Sequence, residues 1–443
     1  MGRDFRVSQC MIVKNEEENI ERALSWGRNM MWEQIVVDTG STDRTVELAE
    51  KLGAKVYHFS WIDDFAAAKN YACGQATGDW IIFLDADEYM TAGDVEKTRS
   101  LLTEIEKEGA GYLAILTNLF NLDEAGKITE GGNQMRIFRN RRGICYMGAI
   151  HERLMKGEKE LDTSELLDAS EELSIYHTGY TKHAFETTRK VELYKRIILK
   201  ELEEDPGNSE MMGNLADVYK SEGRHDLAME WYEKSICTLF AEGAEPQLQD
   251  QRMSWTFFSL LQISCVTGAP ESRIMELYGQ ATWYLPRECD FDYMMGCYFL
   301  EKKDWEGAVH HLERALTLFE KWGNLYFGRI LTADLMKARE YLAIAGYNAG
   351  QKEKCVNACV SYLRENRFSM GVLKVLLMVF GAEAGNGETG DILDFLGKLY
   401  DFAALKDRLF VLRSAKEVGY LGLVEAVRGL FSAEELEALG GYV

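Results

Sequence analysis

One short stretch limits the possible folds of this chain more than any other. The apolar run Trp80-Ile81-Ile82-Phe83-Leu84 ends directly in the acidic group Asp85-Ala86-Asp87-Glu88. Five consecutive apolar residues predict a strand that is buried on both faces. Because ligands of open α/β sheets bind at the carboxyl ends of the strands, Asp85 and Asp87 are predicted to face a cleft. There they could bind a hard cation that holds a nucleotide diphosphate, although an acidic turn capping a core strand explains the same residues.

Length and composition indicate an ordinary globular protein of two or three domains. The chain has 443 residues, of which 47% are hydrophobic and 28% charged. Its net charge of -22 argues against nucleic acid or an anionic membrane as the main partner. No signal peptide or membrane span is predicted. Nine cysteines without a CxxC pair favour reduced thiols in a cytoplasmic protein and argue against zinc.

Alternating strands and helices precede the central stretch. The predicted elements are strands at 5–13, 34–37 and 55–59 and helices at 19–26, 44–52 and 65–76. This alternation predicts a parallel sheet with right-handed crossovers and a ligand crevice above the strand ends. Asp38 and Asp64 follow the second and third strands, so they are expected at the same edge as the acids after the fourth strand. Acids after successive strands indicate a binding site.

As a set, these motifs resemble the family-2 glycosyltransferases of the GT-A fold. The resemblance covers roughly residues 5–180, and any one of its motifs alone would be weak. The motifs are Val13-Lys14-Asn15-Glu16, Val37-Asp38-Thr39-Gly40-Ser41-Thr42-Asp43, Asp64-Phe65-Ala66-Ala67-Ala68-Lys69-Asn70 and Gly78-Asp79-Trp80 through Asp85-Ala86-Asp87-Glu88. The fold that the resemblance implies is an α/β, Rossmann-like GT-A domain that transfers a sugar from a nucleotide-diphospho-sugar.

The resemblance also implies a role for each matching residue. Asp85 and Asp87 would hold Mn²⁺ or Mg²⁺ against the donor diphosphate, and Asp87 thereby counts as catalytic. His177, at the end of the last strand of this domain, would complete the metal site, although a lone histidine there also fits a hydrogen-bonded core residue. Asp38 would bind the base or ribose, and Lys69 would approach the phosphates or sugar. The full donor-binding set is Val13, Asn15, Glu16, Asp38, Asp64, Lys69, Asp85 and Arg136.

Longer antiparallel strands are predicted after Glu88, at 112–121 and 134–140. Arg136 and Arg139 lie three residues apart on the second of them, so they are expected to face opposite sides and only one can readily reach the cleft. A guanidinium in the cleft would suit a diphosphate.

The proposed chemistry also needs a carboxylate that takes a proton from the acceptor. Glu152, which follows a strand predicted at 145–150, is the first choice for this base, with Asp64 and Glu88 as alternatives. A structural pairing of Glu152 with Arg153 or Arg139 explains the same residue nearly as well.

The C-terminal half is predicted to be wholly helical and to contain repeats. Leu215, Ala216 and Tyr219 begin a pattern of small and bulky residues that is typical of tetratricopeptide (TPR) helix pairs, and related patterns follow three times up to Cys359. The predicted fold of this half is an all-α, TPR-like solenoid. Cys355 and Cys359 are expected to be packing residues, and His310 and His311 to lie on a solvated helix face. The predicted division is a catalytic domain at 1–184, a linker helix at 185–204, helical repeats at 205–369 and a helical cap or dimerisation region at 370–443.

The resemblance, together with the repeats, implies an inverting, metal-dependent glycosyltransferase that uses a nucleotide-diphospho-sugar, with UDP as the expected nucleotide. The combination with repeats is similar to bacterial peptide and protein glycosyltransferases, including those that modify cysteines of bacteriocins, so a peptide or protein acceptor is expected. A surface polysaccharide or lipid-linked acceptor is the enzymatic alternative. A homodimer is compatible with the same patterns. The non-enzymatic alternative is a degenerate transferase domain carried by a scaffold, which several retained, mutually repelling carboxylates argue against.

Overall fold

The computed structural model of the chain describes residues 5–178, 189–323, 328–381 and 389–440. It divides into two compact units, Met1–Arg224 and His225–Val443, each of which is described by itself below. The predicted division into four segments remains a prediction, and the first four residues of the predicted linker helix lie outside the described residues.

The first unit contains a mixed sheet and flanking helices. Its strands are β1 (Val7–Val13), β2 (Glu33–Asp38), β3 (Lys55–His58), β4 (Trp80–Phe83), β5 (Glu88–Tyr89), β6 (Ala114–Leu122), β7 (Ile128–Arg139), β8 (Ile144–Met147), β9 (Arg153–Lys156), β10 (Lys159–Glu160), β11 (Leu166–Asp168) and β12 (Ser174–His177). Its helices are α1 (Ile20–Ser25), α2 (Thr45–Lys51), α3 (Phe65–Gly74), α4 (Ala92–Glu108), α5 (Arg189–Glu204) and α6 (Ser209–Ser221). A single 3₁₀ turn of the described residues, Thr163–Glu165, precedes β11.

The main sheet has the strand order β3-β2-β1-β4-β7-β6-β12-β5, and β11 pairs with β6. The first four strands in this order pair in parallel, as predicted. From β7 onward the sheet is mixed, because β7 runs antiparallel to both β4 and β6. The sequence analysis is therefore correct for the parallel half and for the α/β class. Strands β8, β9 and β10 form a separate antiparallel sheet.

Strand β4 lies in the middle of the sheet and is buried on both faces. Trp80 and Ile82 pack into one hydrophobic cluster, while Ile81 and Phe83 pack into another. None of the four side chains is more than 1% exposed. Because successive residues of a strand point to opposite faces, this alternation is what a strand between two apolar layers requires. The central prediction from the sequence is confirmed.

Glu33, at the start of β2, is a buried carboxylate at the opposite edge of the sheet from the acidic motif. Its side chain accepts hydrogen bonds from the Ser8 hydroxyl at 2.7 Å and from the Thr77 backbone N–H and hydroxyl at 2.7 and 2.9 Å. Lys55 Nζ lies 2.6 Å from it. Burial alone would raise the pKa of Glu33, but these partners more than offset it and lower the pKa from 4.5 to about 2.

We expect the Glu33→Gln substitution to lower the free energy of unfolding by about 3 kcal/mol at neutral pH, because the partners of Glu33 in the folded state stabilise its ionised carboxylate. A lowered pKa contributes stability that is present above 4.5 and is lost as the pH falls towards 2. The difference between wild type and variant should therefore shrink over that interval when urea denaturation is measured at several pH values. Glu47→Gln, in an exposed pair with Arg44, is the matched control and should change little. A constant difference at all pH values would contradict the assignment.

The second unit is wholly helical within its described residues. Its helices are α7 (His225–Ala241), α8 (Gln251–Thr267), α9 (Glu271–Tyr284), α10 (Asp290–Glu301), α11 (Trp305–Trp322), α12 (Arg329–Asn348), α13 (Lys352–Glu365), α14 (Met370–Gly381), α15 (Thr389–Leu396), α16 (Leu405–Glu417), α17 (Leu421–Arg428) and α18 (Ala433–Leu439). Successive helices pack as pairs, with α10 against α11 and α12 against α13 among the most extensive contacts. This arrangement confirms the predicted helical repeats. No described helix has the length and apolar character that crossing a membrane requires.

Small residues permit the close helix approach that the repeat pattern predicts. A Cβ atom on Gly296 of α10 would lie only 2.6 Å from Leu312 Cγ of α11. Cys355 and Cys359 are fully buried, as expected of packing residues. The prediction for His311 is wrong. This histidine is buried, and its Nδ1 lies 3.1 Å from the fully buried Asp292, a partner on α10 that helix periodicity alone does not show.

Candidate functional site

The acidic motif forms a tight turn between β4 and β5. The Glu88 N–H donates to the Asp85 carbonyl at 3.0 Å, and the Asp85 N–H donates to the Glu88 carboxylate at 3.0 Å. Side chains alternate along this turn, so that Asp85 and Asp87 are partly exposed while Ala86 and Glu88 are buried. The two predicted aspartates therefore reach the surface at the carboxyl end of the central strand. Glu88 instead points into the protein, where its carboxylate accepts the Asp85 N–H and stabilises the turn.

Arg136 of β7 is paired with this turn. Its Nη2 lies 2.5 Å from Glu88 Oε1 and 3.3 Å from Asp85 Oδ2. Burial lowers the pKa of Arg136, but the charges of Glu88 and Asp85 more than offset this and raise it. Burial, with help from the two neighbouring aspartates, raises the pKa of Glu88 in spite of Arg136. Arg139 faces the other way and pairs with Glu106, so only one of the two arginines reaches the acidic turn.

Lys69 of α3 is the second buried cation of the site. Its Nζ lies 2.6 Å from Glu152 Oε1 and 3.7 Å from Asp85 Oδ1, and its side chain is 4% exposed. Burial lowers the pKa of Lys69, but Asp85 and Glu152 more than offset this and raise it. Lys69 thus joins the acidic motif, through Asp85, to Glu152, the carboxylate predicted as the base. The alternative partners of Glu152 are engaged elsewhere, since Arg139 binds Glu106 and Arg153 binds Glu160 and Glu210.

Asp87 and His177 lie side by side at the next position. His177 Nε2 is 3.1 Å from Asp87 Oδ2, and its Nδ1 is 2.8 Å from the Asn121 side-chain oxygen. Because an amide oxygen can only accept, Nδ1 carries the proton and Nε2 faces the carboxylate. Burial lowers the pKa of His177, but the hydrogen bond and charge of Asp87 more than offset this and raise it. Asn121 carries no motif of its own, and only the pairing of β12 with β6 brings it to His177.

The three predicted metal ligands do not form one compact group. Asp85 does not join Asp87 and His177 as a third closely spaced donor within the described chain, because its carboxylate faces Lys69 and Arg136. The donors that do lie within 4.8 Å of one another are those of Glu288, Cys289 and Asp290 in the second unit. The two carboxylates of that group accept backbone N–H groups at the start of α12, so it is explained as a helix cap.

The residues predicted to bind the nucleoside surround the ends of β1 and β2. Asp38 is buried and accepts backbone N–H groups from Gly40 at 3.2 Å and Ser41 at 2.9 Å. Burial raises the pKa of Asp38, but these hydrogen bonds more than offset it and lower the pKa. The Asn15 side chain accepts from the Thr42 N–H at 2.8 Å, and Asn15 adopts a left-handed φ of 58°. Much of the hydrogen-bonding capacity of Asp38 and Asn15 is therefore used to shape this loop.

The other two residues at this end of the sheet are also engaged locally. The Val13 carbonyl accepts from the Thr39 N–H at 3.0 Å, and the Glu16 carboxylate accepts from the Asn19 amide at 2.8 Å. Together with Asp38 and Asn15, they lie at the carboxyl ends of β1 and β2 and are not part of the acidic cluster. Their contact with a nucleotide remains a prediction.

Asp64 belongs to a different structural role. Its carboxylate accepts the Ala67 N–H at 2.8 Å and caps the N-terminus of α3. Glu88, the other alternative base, is 2% exposed and bound to Arg136. Of the three candidate bases, Asp64 is used as a helix cap and Glu88 is almost fully buried. Glu152, whose side chain is 16% exposed, is the remaining candidate.

The strand predicted at 145–150 is shorter than expected. Strand β8 ends at Met147, Gly148 takes a φ of 98°, and His151 takes a left-handed φ of 53°. This irregular backbone turns the chain so that Glu152 meets Lys69. Positive φ at a non-glycine residue is strained, and such residues cluster at functional sites.

A row of aromatic rings ends at His151, the residue before Glu152. Ring centroids are 4.8 Å apart for Trp61 and Phe65, 6.0 Å for Phe65 and Tyr194, and 6.4 Å for Tyr194 and His151. The sequence analysis did not identify this row. Phe65 precedes Lys69 by one helical turn, and this spacing is a local indication that an aromatic ring lies on the same face of α3 as Lys69.

Comparison with known proteins identifies the motifs of both halves. Residues 8–149 match the family model described as Glycosyl transferase family 2, and residues 209–236 match the model described as Tetratricopeptide repeat. A TPR repeat-containing protein of Synechococcus elongatus is 32% identical over 234 residues, which are 52% of this chain and 56% of the relative. The SPbeta prophage-derived glycosyltransferase SunS of Bacillus subtilis is 27% identical over 177 residues, which are 38% of this chain and 39% of the relative.

These relatives extend well beyond the matched regions. The chain spans about half the length of the Synechococcus protein and less of SunS. Among solved structures, S. aureus TarS 1-349 in complex with UDP covers 63% of this chain and 89% of its own, at 14% identity and a TM-score of 0.30. A likeness this weak carries no argument about the activity of this chain.

Proposed function

We propose that this chain, whose residues 8–149 form a glycosyl transferase family 2 domain, is an inverting, metal-dependent glycosyltransferase that uses a nucleotide-diphospho-sugar, with UDP as the nucleotide. One observation carries the proposal. Two buried cations, Lys69 and Arg136, converge on the carboxylates of Asp85, Glu88 and Glu152 at the carboxyl end of β4. Burying several charged groups carries a desolvation penalty that lowers the stability of the folded protein. Clusters of interacting, buried ionisable groups are therefore found preferentially at sites where charge develops during a reaction.

The chemistry of the donor set supports a divalent metal at this site. Asp85 and Asp87 offer carboxylate oxygens, and His177 offers its Nε2 atom. The other ring nitrogen of His177, Nδ1, donates a hydrogen bond to Asn121, which fixes the orientation of the ring. This is the outer-shell arrangement that orients metal-binding histidines, and oxygen and nitrogen donors suit Mn²⁺ and Mg²⁺. Asp87 and His177 would hold the ion, and Asp85 would join them when its carboxylate turns from Lys69 and Arg136. The ion would neutralise charge on the diphosphate leaving group.

The side chains divide the remaining work of the transfer. The acceptor hydroxyl or thiol attacks the anomeric carbon as the bond from that carbon to the diphosphate oxygen breaks, and the diphosphate leaves with the bonding electrons. Glu152 takes the proton of the acceptor. Lys69 and Arg136 favour the negative charge that grows on the diphosphate, in a setting where burial strengthens the interaction. Attack from the face opposite the leaving group inverts the anomeric centre.

We further propose that the acceptor is a peptide or protein that the helical repeats help to bind. Stacked helix pairs offer extended surfaces suited to polypeptides, and the second unit consists of such pairs. The row of rings that ends at His151, the residue before Glu152, would offer apolar contact to an acceptor side chain next to the reacting one. All nine cysteines are free thiols, which supports a cytoplasmic setting.

The test is a product analysis with the full-length protein. A panel of nucleotide-diphospho-sugars is incubated with Mn²⁺ and either a peptide library or a set of oligosaccharides, and products are read by mass spectrometry. We expect peptides that gain the mass of one sugar residue, together with free nucleoside diphosphate. Labelling of oligosaccharides alone would replace the peptide by a glycan acceptor. Neither product nor nucleotide release from any donor would favour a scaffold function.

A further inference from the structure

Strand β8 lies at the edge of its three-stranded sheet, and its outer side is covered by a side chain rather than by a strand. The Tyr146 N–H donates to Asn70 Oδ1 at 2.8 Å, and Asn70 Nδ2 donates to the Tyr146 carbonyl at 2.8 Å. The amide of Asn70 thus makes the two bonds that a neighbouring strand residue would make. An edge strand needs such partners, because its outward backbone groups are otherwise unpaired.

Asn70 lies next to Lys69 on α3, and Tyr146 lies under the Lys69 ammonium. Lys69 Nζ is 5.3 Å from the centre of the Tyr146 ring and 5.0 Å from that of Phe83. The two rings pack edge to face at 5.4 Å. Through its two hydrogen bonds, Asn70 therefore attaches Tyr146 to α3, and the ring of Tyr146 packs against the Lys69 ammonium.

A second bond ties the same segment to the start of α3. The Phe65 N–H donates to the Ala149 carbonyl at 2.8 Å. Two residues separate Ala149 from Glu152, and the strained His151 lies between them. The segment from Tyr146 to Glu152 is thus attached to one short helix at two points, the first residue and the middle of α3. The result is the 2.6 Å contact between Lys69 Nζ and Glu152 Oε1.

We propose that Asn70 is a positioning residue for sugar transfer: through Tyr146 it fixes the carboxylate of Glu152 against the ammonium of Lys69. This inference rests on the proposed function of the site. In the described structure the Asn70 side chain hydrogen-bonds to Tyr146 and to none of the carboxylates or cations of the site, so its effect on Glu152 passes through the backbone of β8. A displacement of about 1 Å at reacting groups can cost about 100-fold in rate.

The test compares full-length Asn70→Ala and Asn70→Asp with Asn140→Ala. Asn140 is a matched control, because its amide likewise makes two hydrogen bonds to the backbone, in this case donating both, to the carbonyls of Ala76 at 3.0 Å and Gly78 at 2.9 Å, away from Lys69. Asn70→Asp keeps the acceptor for the Tyr146 N–H and removes the donor to the Tyr146 carbonyl. Melting curves confirm that each variant is folded.

We measure kcat and donor KM, hydrogen exchange of the Tyr146 amide, and the rate at which an amine-acylating reagent labels Lys69. In Asn70→Ala, kcat should fall about 100-fold with donor KM nearly unchanged, while exchange and labelling become faster. Asn70→Asp should fall between Asn70→Ala and wild type. Asn140→Ala should match wild type in all three measurements.

Two results would overturn the inference, and they are distinct from failure of the proposed function. Wild-type kcat in Asn70→Ala would show that Asn70 does not position the reacting groups. Unchanged labelling and exchange would show that it does not fix Lys69 and Tyr146 at all. If wild type turned over no nucleotide-sugar, the proposed function and its positioning role would both be wrong, and labelling would still report whether Asn70 holds Lys69 in place.

Discussion

Replacing Asp87 with asparagine should lower sugar transfer by at least about 100-fold, because the variant loses the negative charge that a divalent ion requires while keeping the shape of the side chain. Asp87 is the aspartate of the acidic motif that contacts His177, with 3.1 Å between Asp87 Oδ2 and His177 Nε2. Loss of its charge should also weaken nucleotide binding in the presence of Mn²⁺. Release of nucleoside diphosphate from the preferred donor measures the first effect, and its dependence on Mn²⁺ concentration measures the second.

Asp79→Asn is the control for this experiment. Asp79 lies just before the start of the same strand, β4, and its carboxylate accepts the Arg6 N–H at 2.8 Å, so the substitution removes one charge at the opposite edge of the sheet. It should leave transfer close to wild type. Equal loss of transfer in both variants would mean that either substitution disturbs the sheet as a whole. Full activity of Asp87→Asn would exclude the Asp87 carboxylate as a ligand of the metal ion.

Replacing Glu152 with glutamine should abolish transfer to the acceptor while leaving nucleotide binding intact. Glutamine can still accept a hydrogen bond from Lys69, so the local packing is preserved, but it cannot take a proton. Loss of a general base costs about 100- to 10,000-fold, so the effect should appear in kcat rather than in donor KM. Steady-state kinetics with the identified acceptor separates these two quantities.

The matched control is Glu160→Gln, on β10, which pairs with the strand β9 that begins directly after Glu152. Glu160 is exposed and pairs with Arg153 at 3.2 Å, and its loss should not change kcat. Undiminished transfer by Glu152→Gln would exclude Glu152 as the base but would leave the metal-binding prediction standing. Because Asp64 caps α3 and Glu88 is buried against Arg136, a different carboxylate would then have to come from outside this set.

The parallel half of the fold follows from local patterns in the sequence. The apolar run Trp80–Phe83 has to be buried on both faces, and alternation with helices brings the ends of β1, β2 and β4 to one edge. Asp38, Asp85 and Asp87 could therefore be located before any contact was known. The helix pairs of the second unit were predictable for the same reason, since small residues such as Gly296 mark a close approach.

What the sequence could not provide is the choice of partners over long separations. Lys69 pairs with Glu152 across the sheet edge, although several arginines nearer in sequence offered the same charge. Asn121 reaches His177 only because β12 pairs with β6, and Asp292 reaches His311 only because α10 packs on α11. Such pairs depend on the register of strands and helices, which single residues do not encode. The hydrogen bonds that join Asn70 of α3 to Tyr146 of β8 likewise connect residues 76 positions apart.

The measurement that tests the central claim most directly is metal-dependent nucleotide binding by the full-length protein. Melting temperatures are recorded with UDP, GDP, CDP and dTDP, each with and without Mn²⁺, for wild type, Asp87→Asn and Asp79→Asn. A ligand at about 100 times its dissociation constant adds about 2.7 kcal/mol to the stability of the native state, which is readily detected. We predict that UDP raises the melting temperature only with Mn²⁺, in wild type and Asp79→Asn but not in Asp87→Asn. No rise with any nucleotide, or an equal rise in Asp87→Asn, would contradict a nucleotide-sugar site at the end of β4.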